Sequence, residues 1–319
     1  MNRKYDVVIV GGGPAGLTAG IYAGRAGKTV ALFEKEMIGG QITYTDEIDN
    51  FPSAPGMGGA EYAMKLQQQA ADCGTEIFMD GVTEILPKED GSYEVRTADE
   101  SVECTAVILA TGLQRRKMNV PGEEDFIGRG LSFCAVCDGA FFRNRDVAVY
   151  GGGNTAVVPT AILQVLVPTL PGICRKVTII HRRDRFRAEE RLVRELESKD
   201  NVVFAMEKTV SSVQGERIIQ SVTLRDGKTG EETELPVDGF FVAIGQVPNG
   251  EPFRGLVEMD DAGYYQIDEN CGGKRDGVFV AGDGRSKSVR QLTTAVGDGA
   301  VAATHACQYV DRVNGNEYI

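Results

Sequence analysis

Short apolar runs that lead into clustered glycines occur twice along the chain. Residues 7–10, VVIV, end at Gly11, and residues 147–150, VAVY, end at Gly151. Continuous apolar runs of this length are typical of parallel strands that are buried on both faces. A helix is predicted after the first glycine cluster, from about residue 14 to about residue 27, and second strands are predicted at residues 29–33 and 177–180. The pattern therefore predicts an α/β protein with two βαβ units.

The first glycine cluster has the spacing of a dinucleotide-binding loop. Gly11 permits a tight turn, Gly13 lets the backbone approach a pyrophosphate, and Gly16 lets helix and strand pack closely. The helix N-terminus that follows offers free N–H groups to the phosphates. Glu34 ends the second strand, where a carboxylate accepts hydrogen bonds from ribose hydroxyls. An acid there repels a 2′-phosphate, so this site favours a dinucleotide such as FAD. The candidate loop residues are Gly11, Gly12, Gly13, Pro14, Ala15 and Gly16.

The second cluster repeats the motif with basic residues in place of the acid. Its candidate residues are Gly151, Gly153, Asn154, Thr155 and Ala156, and its second strand ends at His181. Arg182, Arg183 and Arg187 follow, and guanidinium groups bind a 2′-phosphate in bidentate fashion. This unit therefore favours NADPH over NADH. The alternative is that the arginines form a solvated face at the start of a helix.

One irregularity sets the second unit apart from the first. Pro159 falls inside the helix expected after the glycines, and a proline beyond the first turn costs about 3 kcal/mol. A longer segment, including VPTLPGIC at residues 167–174, separates the glycines from the second strand. We expect a short, kinked or shifted helix here.

The remaining segments predict interleaved domains. Apolar and polar residues alternate within residues 81–108, which also contain turn residues, as in an antiparallel β insert. Residues 107–112, 239–249 and 277–284 each contain a strand that ends in small residues. We therefore predict that the chain leaves one domain, builds a second and returns. The predicted boundaries are 1–116 and 248–319 for a discontinuous FAD domain and 117–247 for an inserted NADPH domain.

Composition narrows the function classes. The chain has 319 residues, enough for about two domains, and a formal net charge of −12. Such a charge repels nucleic acid and anionic membrane surfaces. We expect a cytoplasmic protein, because the first apolar run is too short for a signal peptide and no run approaches the ~20 residues of a membrane span. Five of the seven cysteines are scattered, which fits buried thiols.

The other two cysteines form a Cys-x-x-Cys motif, Cys134 and Cys137, followed by Asp138. Such a pair can be half of a zinc site, a redox disulfide or an accident of sequence. A structural zinc site needs four ligands, and the sequence has no second Cys-x-x-Cys and only His181 and His305 as histidines. The redox alternative is therefore favoured, and no metal is expected.

Together these motifs resemble the low-molecular-weight, NADPH-dependent thioredoxin reductases, class II pyridine nucleotide-disulfide oxidoreductases. The resemblance extends along the whole chain: GGGPAGLTAGIYAGRA, IGGQIT, IDNFPSAPG, VILATG, FCAVCDGAFFRNRDVAVYGGGNTA, HRRDRFRAEE, FVAIGQVPN and GVFVAGDGRSKSVRQLTTAVGDGAVAA. CAVCDG between two nucleotide units is the most specific of them. The chain departs from the family at Val158 and Pro159, where the family has an acidic pair in an uninterrupted helix.

The resemblance implies a fold of two doubly wound, Rossmann-like domains of the three-layer ββα kind, with the NADPH domain inserted in the FAD domain. It also implies a homodimer and a set of FAD contacts beyond the first loop and Glu34. That set is Gly39, Gly40, Gln41, Asn50, Val82, Asp283, Arg290 and Gln291.

The resemblance further implies roles for the catalytic residues. Cys137 is the sulfur next to flavin, Cys134 attacks the disulfide of thioredoxin or a thioredoxin-like protein, and Asp138 is the acid/base. Since the dithiol serves first the flavin and then a protein, we expect the inserted domain to rotate, with Gly112 and Gly245 as hinge points. Two alternatives remain: a ferredoxin-linked flavin thioredoxin reductase, favoured by the broken helix, and a non-catalytic redox-sensing flavoprotein.

Overall fold

A computed structural model describes residues 3–45, 47–133, 135–151, 170–186 and 190–316. It divides into two compact units. The first consists of Met1–Thr43, Phe51–Gln114 and Val247–Ile319, and the second of Tyr44–Asn50 and Arg115–Gln246. Residues 44–50 thus group with the second unit, which differs from the predicted boundary of 1–116 for the first part of the FAD domain.

The first unit is built on a mixed sheet with helices packed against it. In chain order its elements are β1 (Arg3–Val10), α1 (Pro14–Arg25), β2 (Val30–Phe33), α2 (Gly59–Asp72), β3 (Thr75–Phe78), β4 (Glu84–Pro87), β5 (Tyr93–Arg96), β6 (Ser101–Leu109), β17 (Val278–Val280) and α5 (Leu292–Val313). The sheet order is β3-β2-β1-β6-β5-β4, and β17 also pairs with β6. Strands β1, β2, β3, β6 and β17 run parallel, while β4 and β5 form the predicted antiparallel insert.

Both faces of this sheet are buried, which explains the continuous apolar runs. Val7 and Ile9 pack in the core on the face that α1 and α5 cover. Val8 and Val10 pack on the opposite face, in a core that also contains Tyr265. Side chains of a strand alternate between the two faces of a sheet, so a strand with two covered faces is apolar at every position.

The second unit has a parallel sheet and a small antiparallel one. Its elements are β8 (Leu131–Ser132), α3 (Ala135–Asp138), β9 (Asp146–Gly151), β10 (Lys176–His181), α4 (Glu190–Glu197), β11 (Val202–Met206), β12 (Lys208–Gly215), β13 (Ile219–Asp226), β14 (Glu232–Pro236) and β15 (Gly239–Ala243). The parallel sheet has the order β11-β10-β9-β15-β8, and β12-β13-β14 form the antiparallel sheet.

The two connecting segments pair with each other as a two-stranded ribbon of β7 (Leu113–Arg115) and β16 (Gln246–Pro248). Gly112 and Gly245 flank this ribbon and have φ of 61° and 105°, a region that glycine enters at little cost. The doubly wound fold class predicted from the sequence is confirmed.

The predicted irregular segment is described only in part. Pro159 lies outside the described residues. Residues 170–174 form a turn whose Leu170 and Cys174 side chains are buried in the core of the second unit. The Asn201 side-chain amide donates to the carbonyl oxygens of Pro171 and Cys174, at 2.9 Å each, and so fixes this turn before β10.

Candidate functional site

The first glycine loop connects β1 to α1 in the conformation that its spacing predicts. Gly11 has φ of 109° and its N–H donates to the carbonyl of Phe33 at 2.8 Å. A Cβ at Gly16 would lie 1.9 Å from the carbonyl oxygen of Gly11. A Cβ at Gly13, by contrast, would find only the Gly39 carbonyl oxygen, at 4.0 Å, among the described residues. The loop therefore presents open backbone at the start of α1, where Gly13 caps the helix without a side-chain hydrogen bond.

Glu34 stands at the end of β2, and backbone donors orient its carboxylate. One oxygen accepts from the N–H of Gly12 at 2.7 Å, and the other accepts from the N–H groups of Glu36 and Met37 at 2.8 and 3.3 Å. A carboxylate oxygen has lone pairs for further donors, so Glu34 can still receive hydroxyl groups from a ribose.

The segment at Gly39, Gly40 and Gln41 lies beside the glycine loop. The Gly39 N–H donates to the carbonyl of Gly12 at 2.8 Å. A Cβ at Gly40 would be 3.6 Å from Cα of Gly13. The Gln41 amide donates to the carbonyl of Leu113 at 2.6 Å. The structure thus brings two separate glycine motifs together at the carboxyl ends of the parallel strands.

Asp283 follows β17, at the same edge of the sheet. Its Oδ1 is buried and has no hydrogen-bond partner among the described residues. Burial raises the pKa of the Asp283 carboxyl, against the opposing charges of Lys287 and Arg290. Arg290 donates through Nε to the Asp283 carbonyl at 3.2 Å and stacks over the Tyr264 ring. Gln291 is the N-cap of α5.

These observations fit the FAD that the sequence predicts. Asp283 Oδ1 has an ion-pair partner in Lys287, at 3.6 Å, but a buried carboxylate oxygen without a hydrogen bond is costly unless a ligand donates one. Ribitol and ribose hydroxyls are such donors, and the open backbone at Gly13 accommodates a pyrophosphate. The structure also describes Val82 and Asn50, the two remaining predicted contacts. Val82 packs against the core of the first unit, and exposed Asn50 belongs to the segment that groups with the second unit.

The second glycine loop is described only at its first residue, Gly151. A Cβ at Gly151 would lie 2.6 Å from the carbonyl oxygen of Ala243, so β9 and β15 need glycine here. The other predicted loop residues, Gly153, Asn154, Thr155 and Ala156, lie outside the described residues, as does Arg187. Arg182 is exposed and Arg183 half-buried directly after β10.

His181 has an architectural contact that the sequence did not indicate. The residue is fully buried. Its Nδ1 lies 2.7 Å from the carbonyl oxygen of Gly151, its Nε2 lies 3.1 Å from that of Arg185, and its ring stacks on Phe186. His181 therefore connects the first glycine of the loop to the turn that carries the arginines. These contacts help to fix the position of that glycine.

The redox motif lies between β8 and β9. Cys134 lies outside the described residues, and Cys137 falls in α3, where only the backbone is described. Asp138 ends α3, and its Oδ2 accepts a hydrogen bond from the buried Ser132 hydroxyl at 2.5 Å. Sequence reasoning missed Ser132, because a serine on a two-residue strand has no distinctive pattern.

The expectation of buried thiols is confirmed for four of the five remaining cysteines. Cys104, Cys174, Cys271 and Cys307 are buried, and Cys73 is half-buried. Burial raises the pKa of Cys174, Cys271 and Cys307 to about 11 and that of Cys104 further. Since the thiolate is the reactive form, these groups do not compete with a redox pair. No acid, histidine and cysteine cluster suited to a metal occurs among the described residues.

The described helices include none that is both long and apolar enough to cross a membrane.

Two dinucleotide-binding units, one of which carries a Cys-x-x-Cys pair, define a flavin-dependent oxidoreductase that acts on disulfides.

Comparison with known proteins agrees with this class. The family model for pyridine nucleotide-disulphide oxidoreductases matches residues 5–299, and the chain belongs to this family. It is 41% identical to a thioredoxin reductase of Treponema pallidum over 98% of this chain and 99% of that protein. It is 37% identical to a thioredoxin reductase of Bacillus subtilis over 98% and 96%. The crystal structure of thioredoxin reductase from Streptococcus pyogenes matches with a TM-score of 0.87, 38% identity and coverage of 98% and 100%.

Proposed function

We propose that the chain is a thioredoxin-disulfide reductase that uses FAD and NADPH. One observation carries the proposal. The Cys134–Cys137–Asp138 motif lies directly before the second dinucleotide unit of a chain that matches thioredoxin reductases over nearly its whole length. The match by itself excludes neither NADPH nor ferredoxin as the electron donor. The arginines after β10 favour NADPH.

The first unit holds FAD. The loop from Gly11 to Gly16 receives the pyrophosphate, Glu34 the ribose and Asp283 the ribitol. Gln41, Arg290 and Gln291 contact FAD as well, and Val82 and Asn50 are further predicted contacts. When bound, FAD accepts a hydride from NADPH and supplies two electrons to a disulfide.

The second unit holds NADPH and the cysteine pair. Arg182, Arg183 and Arg187 bind the 2′-phosphate, and the loop from Gly151 to Ala156 receives the pyrophosphate. His181 supports this loop through the Gly151 carbonyl.

The cysteines carry the two electrons to the partner. The Cys134 thiolate attacks one sulfur of the thioredoxin disulfide, which forms a mixed disulfide and releases the other sulfur as a thiolate. Asp138 provides a proton to that thiolate. Cys137 then attacks Cys134, the mixed disulfide breaks, and reduced thioredoxin leaves while the Cys134–Cys137 disulfide re-forms. The Ser132 hydroxyl, bonded to Asp138 Oδ2, holds the carboxyl in place.

We also propose where the chain works, how it assembles and how its units move. The chain works in the cytoplasm, as a homodimer, on a thioredoxin or thioredoxin-like protein. The second unit rotates against the first between flavin reduction and partner reduction. Gly112 and Gly245, at positive φ beside the β7–β16 ribbon, absorb the backbone change. A verified crosslink between the units should stop turnover, and full turnover of the crosslinked enzyme would contradict the rotation.

Anaerobic titration with NADPH, with NADH alongside, tests the proposal. Flavin absorbance should bleach with NADPH, and NADH should need a much higher concentration because it leaves the arginines unpaired. Replacing Arg182 and Arg183 with alanine should remove most of that preference. A flavin that NADPH leaves oxidised but reduced ferredoxin bleaches would favour the ferredoxin-linked alternative.

A further inference from the structure

Four charged side chains lie together behind the loop between β17 and α5. Asp283, Arg285 and Lys287 alternate along this loop, and Asp298 comes from the second turn of α5. The side chains of Arg285, Lys287 and Asp298 are only 13–14% exposed. Removing charges from water is costly unless they are paired, so this cluster needs a structural reason. Only Asp283 has a role in the proposed function.

Asp298 is the shared partner of the cluster. Its Oδ1 accepts from Arg285 Nη1 at 2.7 Å, and its Oδ2 accepts from Lys287 Nζ at 2.8 Å. The same Oδ2 accepts from the N–H of Gly282 at 3.0 Å. Gly282 has φ of 83° and directly precedes Asp283. One carboxylate therefore fixes two cations and the turn that presents Asp283.

Lys287 connects this anchor to two candidate FAD residues. Its Nζ lies 3.6 Å from Asp283 Oδ1 and donates to Thr294 Oγ1 at 3.3 Å. Thr294 Oγ1 also accepts the N–H of Gln291, in the capping box at the start of α5. Lys287 thus contacts Asp283 on one side and the cap formed by Gln291 on the other.

The charges around Asp283 leave Lys287 as the main support for its ionised form. Burial raises the pKa of the Asp283 carboxyl most strongly, and the Asp298 charge adds to this effect. Lys287 opposes it first and Arg290 second. Arg290 is held by the Tyr264 ring and by the main-chain carbonyl of Asp283, so its guanidinium is committed elsewhere.

We propose that Lys287, anchored by Asp298, is a positioning residue that holds the Asp283 carboxylate ready to accept hydrogen bonds from FAD. The inference rests on the proposed FAD site, because Asp283 is assigned to FAD only there. Lys287 does not need to contact FAD. It fixes the carboxylate that does, and it connects that carboxylate to the N-terminus of α5.

The test measures FAD affinity of the apoprotein across pH, by titration with flavin fluorescence. Affinity of the wild type should fall as pH decreases and Asp283 becomes protonated. In Lys287→Met the midpoint of this fall should move to higher pH, and affinity at pH 7 should drop about fivefold, as expected for the loss of one partly buried ion pair. Lys287→Arg should restore the wild-type midpoint.

Two controls separate positioning from general loss of fold. Lys274→Met removes a lysine of the same unit whose side chain is 81% exposed and pairs with Glu258 at the surface, and it should behave as wild type. Asp283→Asn should weaken FAD binding and abolish its pH dependence. Lys287→Gln keeps a donor without the charge and gives the same test if Lys287→Met does not fold. A merely destabilised protein binds less FAD in total but keeps its midpoint.

The outcomes separate the inference from the proposed function. Lys287→Met and Lys287→Gln with wild-type affinity and midpoint, beside a weakened Asp283→Asn, overturn the role of Lys287 alone. A wild type that binds no FAD overturns the proposed function.

Discussion

Exchange of Gly13 for alanine should separate FAD binding from folding. The nearest atom to the added Cβ in the described part of the chain is the Gly39 carbonyl oxygen, at 4.0 Å, and the backbone at φ −74° and ψ −178° suits alanine. Alanine is a poorer N-cap than glycine, but it restricts the unfolded chain, and each effect is worth about 1 kcal/mol or less. The free energy of unfolding of the apoprotein should therefore stay within about 1 kcal/mol of wild type.

FAD affinity should respond quite differently to this exchange. The methyl group that Gly13→Ala adds occupies the space through which backbone N–H groups meet a pyrophosphate. Inserting a methyl group into a filled site costs about 1–3 kcal/mol, which corresponds to about a 5- to 150-fold weaker affinity. Urea unfolding of the apoprotein and a flavin fluorescence titration measure the two quantities.

Gly16→Ala is the matched control in the same loop. Its Cβ would lie 1.9 Å from the Gly11 carbonyl oxygen, a main-chain atom, so α1 must shift and the apoprotein should lose stability. Wild-type FAD affinity in Gly13→Ala would refute a pyrophosphate at this position. Equal destabilisation by the two exchanges would contradict the open space around Gly13.

Two further predictions concern stability. Gly297→Ala, at an open helical position of α5, should stabilise the protein by about 1 kcal/mol, whereas Gly299→Ala should destabilise it because its Cβ would lie 2.2 Å from the Ala15 carbonyl oxygen; urea midpoints that shift alike would contradict this. Burial raises the pKa of Tyr265 to about 12, so the stability it contributes is complete below pH 10 and is lost as pH rises towards 12. The loss is about 3 kcal/mol, and Tyr265→Phe should flatten the decline in unfolding free energy over that range; an unchanged slope would count against it.

The sequence predicted those parts of the fold that depend on local pattern. Both first strands, α1, the antiparallel insert and the strand after Gly277 follow from apolar runs, glycine spacing and turn residues. The first loop was predictable for the same reason, because Gly11, Gly13 and Gly16 act through backbone geometry within one turn.

Features that depend on distant parts of the chain could not be predicted in this way. The contact of His181 with the Gly151 carbonyl requires β9 and β10 to be paired first. The cluster around Asp298 joins a loop to the second turn of the following helix. In the sequence alone, its charged residues resemble an ordinary polar segment. The grouping of residues 44–50 with the second unit is likewise a matter of tertiary packing.

The central claim is that electrons pass from NADPH through FAD and the Cys134–Cys137 pair to thioredoxin. Its most direct test is steady-state NADPH oxidation with and without oxidised thioredoxin, in the wild type and in Cys134→Ser. The wild type should oxidise NADPH continuously only when thioredoxin is present, and Cys134→Ser should bind FAD and bleach with NADPH but show no thioredoxin-dependent turnover. Thioredoxin-dependent turnover at the wild-type rate in Cys134→Ser, or its absence in an FAD-loaded wild type, would contradict the account.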